Sequence, residues 1–323
     1  MLLIRIHKKL ATCCAWYGIF YLYSAVAAPQ GKIMEPNLSF DETLIDNQDK
    51  FSDAFFQQFE LRHRETPLQL NDEVSKNYLF PTFYADTSCA IAIFHCDYQA
   101  AKAMMPVPSM LPVKMSRGRS LVIFSCYEYR NVMNVAPYNE IAMTIPVITD
   151  GGMNIPVLSM LVGDKQKEFG YYVFGMPVTS LENRIRGRKI WGLPKDVERI
   201  DITTKGQYSN IKASLDGKAP YLELNIPMTG SPQAFDVKSN LYSVLGDERL
   251  TSATRFNGTF NVTKNMGSLL SRSPSGDSAT IKLGTGAQAD KLRALEIEGQ
   301  AFQFRYCNSM NACFDLAHTR VEK

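Results

Sequence analysis

The chain has 323 residues, of which 45% are apolar, and this composition suffices for one large or two smaller domains with a buried core. The formal net charge of +3 comes from the N-terminal segment, because residues 1–28 hold three basic and no acidic residues and the remainder carries 32 Lys and Arg against 32 Asp and Glu. A nearly neutral remainder without a concentrated basic face argues against nucleic-acid binding.

Residues 1–28 have the pattern of a secretory signal peptide. Three basic residues among the first nine precede an apolar run from Leu10, and the segment ends in the small residues Ala27 and Ala28. We expect cleavage after Ala27 or Ala28 and export to the periplasm or the cell exterior. The alternative is an uncleaved membrane anchor, since the apolar run is barely long enough to span a bilayer.

Residues 29–82 form a polar N-terminal extension, in which a helix is predicted around residues 41–65. Phe51, Phe55 and Phe59 recur in it at helical spacing. We interpret this helix as packed on the outside of the main domain. A lid or an oligomer contact is the alternative interpretation.

Residues 83–323 alternate short apolar runs with turn residues, which is typical of β-strands. The predicted strands span residues 89–95, 121–129, 140–147, 155–162, 200–204, 211–215, 221–226, 251–263 and 301–306. Helices are predicted near residues 100–105, 180–186 and 289–295. This pattern favours an α+β domain built on a mainly antiparallel β-barrel, closed or nearly closed, with a few peripheral helices.

Two segments between these elements are interpreted from their composition, one basic cluster and one stretch rich in Ser and Gly. The basic cluster of Arg184, Arg186, Arg188 and Lys189 is interpreted as the solvated end of the helix near 180–186. The stretch 266–286 is rich in Ser and Gly and is predicted to be a long hairpin or a mobile loop.

Five cysteines lie beyond residue 28, and export would place them where disulfides form. Cys307 and Cys313 bracket a polar stretch that is predicted to be a loop, so they are the first candidates for a disulfide. The other three, Cys89, Cys96 and Cys126, lie in apolar strand-like runs and are interpreted as small buried residues.

Motifs for cofactors and metals are missing from the sequence. It contains no G-x-S-x-G elbow, no Walker loop, no G-x-G-x-x-G and no H-E-x-x-H. The three histidines beyond residue 28 lack the spacing of metal ligands. We therefore expect neither a cofactor nor a metal ion.

One lysine stands in an apolar and aromatic surrounding, in the stretch Gly-Arg-Lys-Ile-Trp-Gly-Leu-Pro-Lys-Asp of residues 187–196. Pro194 favours an extended Leu193, so Lys195 is expected to leave a turn and begin a strand. Trp191 and Leu193 can strip water from its ammonium group, which lowers a lysine pKa. Because a neutral amine can attack a ketone and form a Schiff base, Lys195 is the candidate nucleophile. The competing interpretation is an ordinary solvated lysine.

The Gly-Arg-x-x-x-x-x-Pro-Lys spacing resembles the lysine segment of the acetoacetate decarboxylase superfamily. A second match lies upstream, where Tyr138-Asn139-Glu140 and the later Ile145-Pro146-Val147 resemble the pocket glutamate of the family. Residues 94–108 are similar to the strand and helix that begin the family domain. The resemblance runs from about residue 83 to about residue 202, with one insertion near residues 149–169.

The resemblance implies a Schiff-base lyase that acts on a β-keto acid or ketone, with decarboxylation as the first expectation. Lys195 would form the imine, and Glu140 would position the substrate or move a proton. The expected substrate-binding residues are Ser125, Tyr138, Trp191 and Leu193. Aldol or dehydration chemistry on the same lysine is one alternative, and an exported ligand-binding protein without activity is another. Assembly as a homo-oligomer stays open.

The sequence departs from the decarboxylases of the family at three positions. Asp196 stands where they carry a second lysine, Thr87 where they carry a carboxylate-binding arginine, and Ser125 where they carry a second pocket glutamate. Without the second lysine, desolvation is the remaining route to a lowered lysine pKa. Because successive side chains of a strand point to opposite faces, Asp196 is predicted to face away from the pocket.

Overall fold

The computed structural model describes residues 34–40, 44–161, 167–215, 217–269 and 280–320, so the predicted signal peptide lies outside the described residues. The strands are β1 (Arg62–His63), β2 (Leu68–Gln69), β3 (Ser75–Lys76), β4 (Leu79–Phe80), β5 (Thr82–Asp97), β6 (Leu111–Pro112), β7 (Arg119–Val132), β8 (Tyr138–Ile148), β9 (Phe169–Val178), β10 (Lys195–Val197), β11 (Arg199–Lys205), β12 (Tyr208–Ser214), β13 (Leu222–Pro227), β14 (Ser231–Leu245), β15 (Glu248–Lys264), β16 (Ile281–Leu283) and β17 (Ala301–Arg320). The helices are α1 (Ala54–Gln57), α2 (Tyr98–Ala103), α3 (Leu158–Leu161), α4 (Leu181–Trp191) and α5 (Ala287–Arg293), and 3-10 turns cover Gln48–Phe51, Ser116–Gly118 and Met266–Leu269.

Seven strands close into a barrel. Their order around it is β9, β14, β15, β17, β5, β7 and β8, and β8 pairs back onto β9. The β14–β9 contact is parallel, and the other contacts of the ring are antiparallel. The short β10 adds to β9 in parallel, outside the ring. The prediction of a mainly antiparallel barrel with a few helices is thus confirmed.

The barrel wall has a core on each of its two faces. On β8, Glu140, Ala142 and Thr144 line the interior, while Ile141 and Met143 belong to the apolar cluster outside. Every residue of β8 is buried as a result, which explains why this segment reads as a nearly continuous apolar run.

A second layer covers one side of the barrel. It consists of the four-stranded sheet β11–β12–β13–β16 together with α2 and α5. Ile200, Ile211 and Leu224 of this sheet and Leu292 of α5 pack against the outward-facing residues of β5, β7 and β8. The interior of the barrel is therefore the place left for a cavity.

The N-terminal extension differs from the single long helix predicted for it. A 3-10 turn and the one-turn α1 replace the helix, and Asp53 caps α1 by accepting a hydrogen bond from the Phe55 N–H at 2.8 Å. Phe51 and Phe56 both pack on Phe83 of β5. A continuous helix would spread these rings along its axis by about 1.5 Å per residue, whereas folding back brings them to one spot. The segment does pack on the outside of the barrel, as interpreted.

The predicted Cys307–Cys313 disulfide is wrong for this structure, in which both cysteines are buried free thiols. The predicted loop between them is part of the continuous strand β17. Six residues of strand span about 20 Å, far beyond the roughly 7 Å limit for the Cα atoms of a disulfide. Cys89, Cys96 and Cys126 are buried free thiols as well, which agrees with the interpretation given to them.

Two further local predictions need correction. Residues 155–162 do not form a strand where they are described, because α3 begins at Leu158 and the Ser159 hydroxyl bonds the Ile155 backbone N–H. The stretch 266–286 contains a 3-10 turn and β16 at its described ends, and its centre lies outside the described residues. No helix in the described part of the chain has the length and apolar character needed to cross a membrane.

Candidate active site

Lys195 is positioned by the end of α4. Gly192 ends the helix in a left-handed conformation with φ 59°, and its N–H and that of Leu193 donate to the carbonyls of Arg188 and Gly187 at 3.2 and 3.0 Å. Pro194 then directs the chain into β10, where Lys195 pairs with Met176 of β9. The predicted turn before Lys195 and the strand after it are both present.

Gly187 explains the spacing of the lysine motif. The Lys195 side chain crosses α4 at this glycine, and a Cβ atom added to Gly187 would lie within 3.0 Å of three of its carbons. Any other residue at position 187 would displace the lysine. The glycine and the lysine of the motif are thus one packing unit.

Lys195 and Glu140 form a buried ion pair. Lys195 Nζ lies 2.5 Å from Glu140 Oε2, and each side chain is 6% exposed. The Tyr129 hydroxyl donates to the other carboxylate oxygen at 3.3 Å, and the Tyr138 ring lies 5.7 Å from Nζ. The pair forms because β8 and β10 flank the same strand, with Glu140 opposite Val178 and Lys195 opposite Met176 of β9.

The electrostatics of the site shift the pKa of Lys195 downward. Burial lowers the pKa of Lys195, the Glu140 carboxylate opposes this, and a nearby arginine, Arg186, adds to the lowering. The net direction is downward. Burial also raises the pKa values of Tyr129 and Tyr138 well above the ordinary tyrosine value, so their hydroxyls are neutral hydrogen-bond donors.

Arg186 is a buried cation, not part of a solvated helix end as the sequence suggested. Its side chain is 1% exposed, donates to Asn183 Oδ1 at 3.1 Å and to Thr82 Oγ1 at 3.2 Å, and lies 4.3 Å over the Tyr78 ring. The expectation that desolvation acts without a cation is therefore corrected. Residues of the N-terminal extension cover Arg186. The sequence pattern of α4 does not predict that this arginine is buried.

Glu182 lies four residues before Arg186 on the same helix, a spacing at which a glutamate and an arginine usually form an ion pair. It is instead engaged by Lys76 at 3.3 Å and by the Tyr78 hydroxyl. Both of these residues come from the N-terminal extension. Arg186 consequently keeps its positive charge close to Lys195.

Asp196 faces away from the site, as predicted. Its side chain is 60% exposed and accepts a hydrogen bond from Arg188 at 2.6 Å on the outer surface. The aspartate at the position of the second lysine of the family therefore lies outside the cavity.

A cavity of about 190 Å³ opens next to the Lys195–Glu140 pair, more than ten times the roughly 10–15 Å³ that one water needs. Of the predicted substrate-binding residues, Ser125, Trp191 and Leu193 line it, while Tyr138 contacts Lys195 from behind. Thr87 is fully buried in the strand and is not among the lining residues. Further lining side chains that the sequence did not indicate are Tyr84, Tyr127, Tyr129, Arg255 and Arg305.

The two cavity arginines have no counterpart in the sequence prediction, which left the cavity without a cation besides the lysine. Arg255 lies on β15 and Arg305 on β17, both far downstream of the recognisable motifs. Alternation along β17 is interrupted by register shifts, so the inward direction of Arg305 does not follow from counting residues. Among the described residues, no group of three or more His, Cys, Asp and Glu is placed to hold a metal ion.

Comparisons with known proteins agree with this fold. A family model described as acetoacetate decarboxylase (ADC) matches residues 65–300. The acetoacetate decarboxylase of Legionella pneumophila subsp. pneumophila str. Philadelphia 1 is similar with a TM-score of 0.50 and 13% identity over 74% of this chain and 87% of that chain. Another acetoacetate decarboxylase structure has a TM-score of 0.50 and 14% identity over 75% and 89% of the chains.

A third similar structure is the enduracididine biosynthesis enzyme MppR in complex with pyruvate, with a TM-score of 0.52 and 13% identity over 79% of this chain and 98% of that chain. At such identities the solved structures show a shared fold. No curated protein sequence matched the chain.

Proposed function

Because the chain belongs to the acetoacetate decarboxylase family, we propose that it is a Schiff-base lyase that decarboxylates a β-keto acid through Lys195. The observation that carries the proposal is the buried 2.5 Å contact between Lys195 and Glu140 at the wall of an apolar and aromatic cavity. Burial lowers the pKa of a lysine in that setting and shields its amine from bulk water.

The reaction begins when the neutral amine of Lys195 attacks the ketone carbon of the substrate. Glu140 accepts the proton that the ammonium gives up, since its carboxylate already contacts Nζ. Loss of water from the carbinolamine leaves a protonated imine. The bond between the α-carbon and the carboxylate then breaks, its electron pair moves to the imine nitrogen as an enamine, and carbon dioxide leaves.

Glu140 completes the cycle by returning a proton to the enamine carbon. The Tyr129 hydroxyl supports this role because its hydrogen bond holds the second carboxylate oxygen and fixes the orientation of the group. Water then hydrolyses the new imine, and the ketone product and free Lys195 are released.

Reductive trapping tests this proposal. Borohydride added with a panel of β-keto acids and ketones should fix a substrate irreversibly to the protein, and its mass should map to Lys195. Lys195→Arg should abolish the adduct, because guanidinium stays protonated and cannot form the imine. Lys76→Arg is the matched control, since Lys76 is a second buried lysine that pairs with a glutamate in the described part of the chain.

The outcomes of the same experiment separate the alternatives. Trapping at Lys195 without release of carbon dioxide assigns aldol or dehydration chemistry to the same lysine. One structural observation is consistent with that result: Ser125 lines the cavity at the position where the decarboxylases carry a second glutamate. An absence of trapping across the panel would reject the lyase and leave a ligand-binding protein.

A further inference from the structure

Arg305 projects from β17 into the wall of the cavity that holds Lys195. Its guanidinium lies 5.0 Å over the Phe235 ring, and Nε and Nη2 donate to the Gln303 side-chain oxygen at 3.2 and 2.9 Å. Gln303 is its one hydrogen-bond partner among the residues described, and none of their carboxylates lies within ion-pair distance. Within the described part of the chain, Arg305 is thus a cation held in place without a counter-ion.

Arg255 makes the contrast clear, since it lines the same cavity from β15. Its Nε and Nη2 each lie 2.8 Å from a carboxylate oxygen of Asp236, so its charge is compensated within the chain. Lys195 is likewise compensated by Glu140. Arg305 is half-buried, and this burial lowers its pKa. Holding such a charge without a partner is costly, and an anion in the cavity would offset the cost.

The sheet register places Arg305 away from the reacting groups. Arg305 lies opposite Ile91, which lies opposite Ser125, and Ser125 lies opposite Ala142. Three interstrand steps of about 4.8 Å separate the backbones of Arg305 and Ala142 by roughly 14 Å of sheet. Glu140 is only two residues from Ala142, and Phe235 holds the guanidinium on the β14 side of the barrel.

The opening of the cavity is basic on the same side. Arg305 and Arg255 also border an adjoining depression on the barrel surface, together with the exposed or half-buried Lys167 and Lys238. Among the described residues that border this depression, Asp315 is the carboxylate, and it is paired with Arg62 at 2.7 Å. A basic opening raises the local concentration of anions and guides them inward.

We propose that Arg305 binds a second carboxylate of the substrate, remote from the reacting carbonyl, so that the preferred substrates are keto diacids. The planar guanidinium suits a carboxylate because it can donate two parallel hydrogen bonds. The carboxylate on the α-carbon, one carbon from the ketone, remains at the Lys195–Glu140 end, where it is lost as carbon dioxide. This inference rests on the proposed role of Lys195.

The test compares two six-carbon β-keto acids that differ at the far end, 3-oxoadipate with a terminal carboxylate and 3-oxohexanoate with a terminal methyl. Turnover and borohydride trapping should favour 3-oxoadipate in the unmodified protein. Arg305→Gln should reduce kcat/KM for 3-oxoadipate by roughly 10- to 100-fold, the usual range for a lost hydrogen bond between charged groups, and leave 3-oxohexanoate within a few-fold. Arg255→Gln, which removes an already paired charge from the same wall, should change the preference much less.

A binding measurement without chemistry separates this inference from the proposed function. Adipate lacks a ketone, so its binding, followed by calorimetry, should depend on Arg305 and not on imine formation; hexanoate is the reference. Adipate binding that Arg305→Gln removes would uphold the subsite even if no substrate were trapped at Lys195.

Equal trapping of both keto acids, unchanged by Arg305→Gln, would overturn the subsite and leave the Schiff base intact. Arg305→Lys is the second variant in case Arg305→Gln does not fold. Lysine keeps the positive charge but cannot donate two parallel hydrogen bonds to a carboxylate, so the preference for 3-oxoadipate should weaken but persist.

Discussion

Two buried lysine–glutamate pairs involve or adjoin helix α4, and they differ in the space beside the lysine. Lys195–Glu140 has a 2.5 Å contact with both side chains 6% exposed, and Lys76–Glu182 has a 3.3 Å contact with side chains 2% and 6% exposed. The first pair lines the cavity of about 190 Å³, and neither Lys76 nor Glu182 is among the residues that line it. Burial and pairing are therefore common to both pairs, and the cavity next to the Lys195 amine distinguishes the candidate site from the other pair.

The surroundings of the two pairs reflect this difference. Glu182 binds both Lys76 and the Tyr78 hydroxyl with one oxygen, Oε1, inside a closed contact between the N-terminal extension and α4. Glu140 binds Lys195 with one oxygen and Tyr129 with the other, and both groups border open volume. A buried ion pair needs such supporting hydrogen bonds to offset its desolvation.

The largest expected effect is on catalysis at the cavity-lining pair. Glu140→Gln should reduce kcat by about 10²- to 10⁴-fold, the usual range for general acid–base catalysis, because the enamine carbon loses its proton donor. Trapping at Lys195 should persist, since removing the carboxylate takes away the charge that opposes the lowered pKa of Lys195. The measurements are steady-state turnover and borohydride adduct yield. Glu182→Gln should leave kcat of the folded protein nearly unchanged, and an equal loss there would erase the distinction between the pairs.

The second effect is on stability at the closed pair. Glu182→Gln leaves Lys76 buried without its counter-charge and should lower the free energy of unfolding by about 3–5 kcal/mol. Urea denaturation followed by circular dichroism measures it. A change below about 1 kcal/mol would mean that Lys76 reaches water when unpaired, and the pair would then not be a structural counterpart of Lys195–Glu140.

The third effect concerns the path of the reactive lysine across α4. Gly187→Ala places a Cβ where the Lys195 side chain runs, so the amine must shift by about 1 Å, which typically costs on the order of 10²-fold in turnover. Gly267→Ala is a control, because the nearest heavy atom to a Cβ there lies at 3.5 Å. The measurement is kcat with trapping yield. Full activity of Gly187→Ala would show that the lysine has another route into the cavity.

The smallest effect is the influence of Arg186, the charge between the two pairs. Arg186→Gln removes a cation that lowers the pKa of Lys195, so this pKa should rise. Because the attacking amine must be neutral, the pH of half-maximal trapping should move upward and the rate at neutral pH should fall. Arg184→Gln, on the outer side of the same helix, should not move the pH profile. A profile that stays fixed in both variants would assign the lowered pKa to desolvation alone.

The sequence by itself determined the local features of the reactive end. Pro194 and Gly192 dictate the turn before Lys195, and the two-residue period of a strand sends Asp196 to the opposite face, as the structure has it. Alternating apolar runs with few helices were compatible with a mainly antiparallel barrel, which the family resemblance implied. These features depend on neighbours in the chain, so residue types and spacing carry them.

Strand β14 shows where such prediction stops. Most of its residues are exposed or half-buried, because it forms part of the barrel wall next to the surface depression, and its apolar residues Phe235, Val237 and Leu241 alternate with polar ones without forming the apolar run by which the other strands were predicted. Its pairing with β15 and β9 is what makes it a strand. The long predicted helix of the extension failed for a related reason, since contacts with Phe83 outweigh helical periodicity.

Only the tertiary structure decided which charged side chains lie in or near the cavity. Arg186 has the helical position of a surface residue and is buried because residues of the extension, distant in sequence, cover it. Arg305 faces the cavity because register shifts in β17 set its direction, and Cys307 and Cys313 stay apart because one strand carries both. Burial and charge compensation depend on which segments, distant in sequence, come into contact in the folded chain. A single sequence does not show these contacts.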